Sequence, residues 1–376
     1  MNNRQPTPNR STYNRAPAAP QNRPAQSAQK RPPQKKKLRI RPNTKGILSL
    51  LALLVIAAAI ITVLVIGIKA IANAVSGNTE ETTDTSNNNG GEENNTGKWN
   101  EGFTTIILPT TDVTTGDLIL INFENKYPHT DTLNSKQLSP LYLAEGYSSY
   151  YVLNGTDIKV HTRIKSALID MIKALVDANP ETLGTDKSKD RVIITSGYRT
   201  TEKQIELYEN RTEEGFVAVP GGTEHHAGYA VDLQVFTSNS RTVLLRDSEQ
   251  EWMDANCADY GFIVRYDGSK YELTGILDEP WHYRYVGVAH ATYIMESGLC
   301  MEEYLSMLRK SHTYGEKEPL AITAGETEYL VYYVPASTET TTDIPVPPAT
   351  LGTYTISGDN MNGFIVTIEK AAEKAE

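Results

Sequence analysis

The stretch Gly221-Gly222-Thr223-Glu224-His225-His226-Ala227-Gly228-Tyr229-Ala230-Val231-Asp232 combines a turn with the beginning of a strand. Two glycines open it, and from Tyr229 to Val235 bulky apolar residues alternate with small or polar ones. Successive side chains of a strand point to opposite faces, so one face of this segment belongs in a hydrophobic core. The other face, which carries Asp232, then turns toward a cleft.

A second polar motif, Glu279-Pro280-Trp281-His282, follows about fifty residues later. Each motif is common by itself, but together they offer two imidazoles, an aspartate and a further glutamate. This is the inventory of a mononuclear zinc hydrolase, in which three protein ligands leave the fourth position to water. Zinc lowers the pKa of such a water from roughly 15.7 to about 7. Glu279, beside a ligand but not needed as one, is the natural general base.

Three motifs in a fixed order carry a family resemblance, and they are Ser196-Gly197-Tyr198-Arg199 with Gln204, Gly222-Thr223-Glu224-His225-x-x-Gly228-x-Ala230-x-Asp232, and Glu279-Pro280-Trp281-His282-x-x-Tyr285-Val286-Gly287. Over roughly residues 140–310 the sequence resembles the VanY-like D-alanyl-D-alanine carboxypeptidases. The resemblance implies a Zn²⁺ cofactor and three metal ligands, which are His225, Asp232 and His282.

The same resemblance assigns roles to four further residues. It implies that Glu279 is the catalytic base and that Arg199 stabilises the oxyanion of the tetrahedral intermediate. A guanidinium suits this task because its donors are always charged and rigidly arranged, and it can equally bind a substrate carboxylate. Gln204 and Thr223 fall where enzymes of this family contact substrate.

The sequence departs from the family pattern at two positions. Thr223 stands where serine is common, which keeps the hydroxyl and adds a methyl group. His226 stands where glutamine is frequent, so either His225 or His226 could be proposed as the ligand. The motif register favours His225, and His226 is then a residue behind the ligand or at the rim of the site.

Apolar spacing predicts an α+β fold, with a compact zinc-peptidase domain whose small mixed or antiparallel sheet is flanked by helices. Residues 164–176 place apolar side chains at intervals of three and four, as an amphipathic helix does. Residues 104–108, 118–122, 192–195 and 261–266 are β-prone. We place the catalytic domain at residues 99–315. Residues 316–376 form a small β-rich appendage with a long Thr/Pro-rich loop and a charged tail.

The N-terminal region predicts a membrane anchor. Residues 1–45 contain twelve Lys or Arg and no acidic residue, so the remainder carries −22 although the whole chain carries −10. Residues 46–70 include an apolar run long enough to cross a bilayer, since about 20 residues suffice. The positive flank places the N-terminus in the cytoplasm. Residues 1–45 are then a disordered arm and residues 71–98 a flexible tether.

These features predict a single-pass cell-membrane protein whose catalytic domain is extracytoplasmic. Cleavage near Ala72-Asn73-Ala74 is an alternative to an uncleaved anchor, and the apolar run argues against nucleic acid as the partner of the basic arm. The predicted substrate is a peptidoglycan stem peptide that loses its terminal D-Ala. The alternatives are an L,D-carboxypeptidase or endopeptidase on the same peptides, a D-Ala-D-Ala dipeptidase, and a non-catalytic zinc-containing wall-binding module. Cys257 and Cys300 lie in no redox or metal motif, and their pairing is left open.

Overall fold

Secondary structure is described by a computed structural model for residues 99–372. The helices are α1 (Lys165–Ala178), α2 (Thr201–Glu209), α3 (Asp247–Asn256), α4 (Tyr271–Thr274), α5 (Val288–Ser297) and α6 (Met301–Ser311). The first seven strands are β1 (Thr104–Pro109), β2 (Leu138–Pro140), β3 (Tyr151–Leu153), β4 (Lys159–His161), β5 (Arg191–Ser196), β6 (Ala230–Phe236) and β7 (Thr242–Val243). The others are β8 (Phe262–Tyr266), β9 (Glu279–Tyr285), β10 (Leu320–Ala324), β11 (Thr327–Pro335), β12 (Thr341–Val346), β13 (Gly352–Gly358) and β14 (Gly363–Lys370).

The central sheet has the strand order β3-β5-β6-β9-β8, with β7 beside β6. Strands β3 and β5 are parallel, and the other pairs are antiparallel, which confirms a mixed sheet in an α+β fold. Strand β6 lies between β5 and β9, and its Asp232 is directly opposite His282 of β9. The register of this sheet therefore brings together two motifs that are far apart in the chain.

Helix α1 covers one face of the sheet, and the predicted amphipathic spacing is confirmed. Its fully buried side chains include Leu168, Met171 and Leu175, which share a hydrophobic core with Val231 and Leu233 of β6. The alternation predicted for β6 is confirmed as well, because Asp232 and Gln234 are the partly exposed members of the strand between buried neighbours. Burial of an apolar stripe on each element turns the polar face of β6 away from this core.

The C-terminal region forms a four-stranded antiparallel sheet of order β10-β11-β14-β13, and β1 pairs separately with β12. Two expectations were wrong here. Residues 118–122 are not a strand but a buried segment whose backbone binds the C-terminal region, through Leu120 N to Asp359 O. The Thr/Pro-rich stretch is not a long loop, because β12 and β13 lie within it. Ile106 of β1 is paired with buried Ile344 of β12, so the first described strand is joined to the C-terminal region by backbone hydrogen bonds.

The predictions for the N-terminal region fall on residues before 99, which the structure does not describe. Between residues 99 and 372 no helix has both the length and the apolar character needed to cross a bilayer. The basic arm (1–45), the membrane helix (46–70) and the tether (71–98) fall outside the described residues. Cys257 and Cys300 are both described, and both are buried free thiols.

Candidate active site

Three side chains converge at the centre of the sheet. One ligand atom from each of His225, Asp232 and His282 lies within 4.8 Å of the others. Nε2 of His225 is 3.4 Å from Oδ2 of Asp232, and Nδ1 of His282 is 3.2 Å from Oδ1 of the same carboxylate. Both histidines are almost completely buried, and the aspartate side chain is 14% exposed. The carboxylate therefore bridges two imidazoles and keeps a narrow opening to solvent.

A short 3-10 turn, Glu224–Ala227, carries His225 into the site. Thr223 caps this turn by accepting a hydrogen bond from His225 N, and Gly228 leaves it with a φ of 71°, which favours glycine. Nδ1 of His225 is 2.7 Å from the carbonyl oxygen of Gly197, so it carries the proton of the neutral ring. The lone pair of Nε2 is then directed at Asp232.

The donor set fits a zinc ion. Donors that are about 2.0–2.2 Å from a tetrahedral zinc lie roughly 3.4 Å from one another. The distances from the Asp232 carboxylate to the two imidazoles, 3.4 and 3.2 Å, are close to this value. Oδ1 of Asp232 is buried and finds no hydrogen-bond partner among residues 99–372, as expected of an atom that a cation would satisfy. Two imidazole nitrogens and a carboxylate oxygen are ligands that zinc accepts. His225, Asp232 and His282 could therefore hold the metal.

Charge in this cluster is unevenly distributed. Burial lowers the pKa of His225 to about 4. Burial acts in the same direction on His282, but the neighbouring carboxylates of Asp232 and Glu224 outweigh it and raise the pKa of His282 to about 9. For Asp232, burial opposes ionisation, yet the two imidazoles hold the pKa of its carboxyl well below the ordinary range.

Glu279 lies at the start of β9, beside the cluster. Its Oε2 is 3.6 Å from Nδ1 of His282, and the side chain is 13% exposed. Burial raises the pKa of the Glu279 carboxyl to about 7, although a cation in the cluster would lower this pKa again. A partly exposed carboxylate beside the cluster can accept and return a proton.

Arg199 lies on the other side of Asp232. Its Nη2 is 3.6 Å from Oδ2 of Asp232 and donates a 2.8 Å hydrogen bond to Oγ of Ser196. Its Nη1 donates a 2.8 Å bond to Oε1 of Gln204, so the guanidinium is held at two points. Burial lowers the pKa of Arg199 without removing its charge, since a guanidinium stays protonated in proteins. A fixed cation therefore lies within reach of the cluster.

The side chains of Gln204 and Thr223 are buried and contact other residues of the site. Gln204 is fully buried, and its amide bridges Arg199 and the carbonyl of Ala218, to which Nε2 donates at 2.6 Å. Thr223 is 3% exposed and caps the turn that carries His225. Each residue contacts another site residue: Gln204 positions Arg199, and Thr223 supports His225.

His226 points away from the metal cluster. Its Nδ1 is 2.8 Å from the carbonyl oxygen of Arg199, and its Nε2 accepts a 3.2 Å hydrogen bond from Gly221 N. Both ring nitrogens are therefore engaged by backbone groups. Of the two adjacent histidines, His225 is the one that the fold brings to Asp232 and His282.

Sequence reasoning missed a buried charge network behind the cluster. Glu224 is completely buried and accepts hydrogen bonds from Arg265 and Arg284, each 2.8 Å long. Its other oxygen is 3.4 Å from Nε2 of His282. The one local signal is a glutamate next to a candidate ligand, because its arginine partners are 41 and 60 residues away in the chain.

Comparison with known proteins decides the family. Residues 157–288 match the family model of VanY, D-alanyl-D-alanine carboxypeptidase. A D-alanyl-D-alanine carboxypeptidase from Enterococcus faecium is 32% identical over 254 residues, which are 67% of this chain and 75% of that protein. The chain belongs to the VanY family of D-alanyl-D-alanine carboxypeptidases.

Two further relatives support the VanY assignment. A D-alanyl-D-alanine carboxypeptidase from Enterococcus faecalis is 42% identical over 130 residues, which are 30% of this chain and 47% of that protein. The solved structure of the vancomycin-resistance D,D-dipeptidase VanXYg, in complex with a D-Ala-D-Ala phosphinate analogue, is 29% identical with a TM-score of 0.58. The match covers 71% of this chain and 99% of that structure. This VanY-family chain is a zinc metallopeptidase of the D,D-carboxypeptidase type.

Proposed function

We propose that this enzyme removes the terminal D-alanine from peptidoglycan stem peptides at the outer face of the cell membrane, to which residues 46–70 anchor it. The proposal is carried by the cross-strand pairing of Asp232 and His282, which brings the two motifs together. Glu279 lies 3.6 Å from His282, and Arg199 lies 3.6 Å from Asp232. His225, Asp232 and His282 would be the ligands. Bound zinc would polarise the scissile carbonyl and supply an activated water near neutral pH.

Glu279 is the proton carrier in this proposal. Its carboxylate takes a proton from the attacking water as the water oxygen bonds to the carbonyl carbon of the penultimate residue. When the C–N bond breaks, Glu279 returns that proton to the amine of the departing D-alanine. Its place beside His282, 3.6 Å from Nδ1 and outside the proposed ligand set, suits this role.

Arg199 stabilises the negative charge that develops on the carbonyl oxygen. Its guanidinium is already oriented by Ser196 and Gln204, so little reorganisation is needed as charge appears. Gln204 and Thr223 support the site from behind, Gln204 by holding Arg199 and Thr223 by capping the turn that carries His225.

The proposed location is supported by the sequence. An apolar run without charged residues, a basic N-terminal flank and a polar tether together fit a single-pass anchor with the catalytic domain outside. A flexible tether suits an insoluble substrate, because it lets a catalytic domain that is fixed to the membrane reach peptidoglycan over a range of distances.

Product analysis on the full-length enzyme tests the proposal. The zinc-loaded chain in detergent would be incubated with a muropeptide ending in D-Ala-D-Ala and, separately, with the corresponding tetrapeptide, and the products followed by mass. We expect loss of one alanine from the pentapeptide, abolished by a zinc chelator and by Glu279→Gln. Loss of the last residue from the tetrapeptide alone, or internal cleavage, would contradict the proposal in favour of an L,D-carboxypeptidase or an endopeptidase.

Membrane placement needs a separate measurement. In cells, the full chain is expected in the membrane fraction, with its catalytic domain accessible to protease added to spheroplasts. Deleting residues 46–70 should release the protein from membranes without changing its activity in solution. A deletion variant that stays membrane-bound would contradict the anchor.

A further inference from the structure

The carboxylate of Glu224 is engaged asymmetrically. Oε1 accepts hydrogen bonds from Nε of Arg265 and Nη1 of Arg284, both 2.8 Å long. Oε2 is left to Nε2 of His282, 3.4 Å away. The side chains of Glu224 and of both arginines have no exposed surface.

This carboxylate is held rigidly. Arg265 also pairs with Glu302, at 2.8 and 3.1 Å, which ties the network to α6. Arg284 donates through Nη2 to the carbonyls of Asp117 and Ile119. A completely buried carboxylate needs such compensation, because its desolvation is otherwise too costly. Two guanidiniums that cannot deprotonate keep it charged and fixed.

The position of Oε2 has a consequence for His282. A fixed anion beside Nε2 favours the ring form that carries a proton there, since that form donates to the carboxylate. The lone pair of Nδ1 then faces the site, where Asp232 is 3.2 Å away and Glu279 is 3.6 Å away. Metal-binding histidines commonly donate their second N–H to a carboxylate or carbonyl in this way.

We infer that Glu224 is a positioning residue that selects Nδ1 of His282 as the zinc-binding nitrogen. It acts through His282 and touches neither substrate nor metal. The inference rests on the proposed ligand set and adds to it a residue that the motif pattern left without a role. The carbonyl of Gly197 binds Nδ1 of His225, and the carboxylate of Glu224 binds Nε2 of His282. The nitrogen left for the metal is therefore Nε2 in His225 and Nδ1 in His282.

The chain offers a matched control in Glu302. Both Glu224→Gln and Glu302→Gln remove one negative charge from the same arginine cluster, but the contacts of Glu302 are with Arg265 and Asn122. A purely structural network predicts equal effects from the two variants. A positioning role predicts that zinc affinity responds to Glu224 alone.

Zinc affinity of the full-length protein would be measured by competition with a chromophoric chelator, with Co²⁺ absorption spectra as a second readout. We expect Glu224→Gln to weaken zinc binding about 10- to 100-fold and to alter the Co²⁺ spectrum. Glu302→Gln should stay within about threefold of the parent, although both variants lose similar stability without metal. Equal losses of affinity in the two variants, or no loss in either, would overturn the inference.

A measurement on the unaltered enzyme covers the case in which Glu224→Gln does not fold. With ¹⁵N-labelled histidine in the zinc-loaded protein, we expect the His282 proton on Nε2. A proton on Nδ1 would overturn the inference. His282→Ala separates this inference from the proposed ligand set, because undiminished zinc binding by His282→Ala would refute the ligands themselves.

Discussion

Arg199 and Gln204 form a partly buried hydrogen-bonded pair, in which Nη1 of the arginine donates to Oε1 of the glutamine at 2.8 Å. The glutamine then donates to the carbonyl of Ala218 at 2.6 Å. Gln204 of α2 thereby connects Arg199 with Ala218, which lies in the loop before the turn that carries His225. The orientation of Arg199 depends on a side chain that has no exposed surface.

Replacing Gln204 separates this positioning effect from loss of volume. Gln204→Met keeps the size of the side chain but removes both hydrogen bonds, whereas Gln204→Ala removes volume as well. Because the guanidinium and the Ala218 carbonyl lose a buried partner, both variants should unfold about 1–3 kcal/mol more easily. Both should also show a roughly tenfold lower kcat with unchanged zinc affinity. A fully active Gln204→Met would contradict the role of the pair.

Replacing Arg199 tests charge stabilisation directly. Arg199→Lys keeps a positive charge but cannot bond Ser196 and Gln204 while also reaching the carbonyl oxygen. We expect kcat to fall about 10²- to 10³-fold, as for loss of one oxyanion donor. Steady-state kinetics of the parent and of Arg199→Lys would measure this fall in kcat. Arg211→Lys, which alters a cation stacked on Tyr208, is the control and should be near-normal.

The adjacent histidines offer a paired test of the ligand assignment. His225→Gln removes the nitrogen next to Asp232, so zinc binding should fall by at least about 100-fold. His226→Gln replaces a ring whose two nitrogens bond to backbone groups, and zinc affinity should stay within about threefold. Equilibrium dialysis on both proteins gives the comparison. The reverse order of affinities would show that His226 is the ligand.

His290 predicts a pH dependence of stability away from the active site. It is buried between Tyr304 of α6 and Thr367 of β14, with hydrogen bonds of 2.6 and 2.8 Å. Burial lowers the pKa of His290 from 6.5 to about 3. Between these two values the unfolded chain binds a proton that the folded chain does not, so stability decreases as pH falls, by up to about 1.4 kcal/mol per pH unit.

Urea unfolding of the zinc-free protein between pH 4.5 and 7.5 measures this slope. His290→Gln should show a shallower decline than the parent, because its side chain does not titrate. His312→Gln, at a partly exposed position whose ring contacts the Glu318 carbonyl, should retain the parental slope. Identical slopes for the parent and His290→Gln would contradict the assignment.

The residues of the candidate site could be proposed from the sequence because they lie in short local motifs. His225 and Asp232 are carried by one turn and strand, and Glu279 and His282 by another strand. The alternation of β6 determines which of its side chains face the core. Hydrophobic spacing likewise predicted α1, whose buried stripe matches its apolar positions. Strands and helices of this kind can be recognised from the periodic spacing of their apolar residues.

The tertiary structure decided what depends on distant partners. The Asp232–His282 register, the burial of Gln204 behind Arg199, and the attachment of Glu224 to two arginines each join residues that no local pattern connects. The same holds for the pairing of β1 with β12, which spans more than two hundred positions. The sequence by itself determined which side chains were available for the chemistry. Only the packed sheet decided which nitrogen, oxygen or amide faces the site, because side-chain orientation depends on contacts formed when distant strands and helices meet.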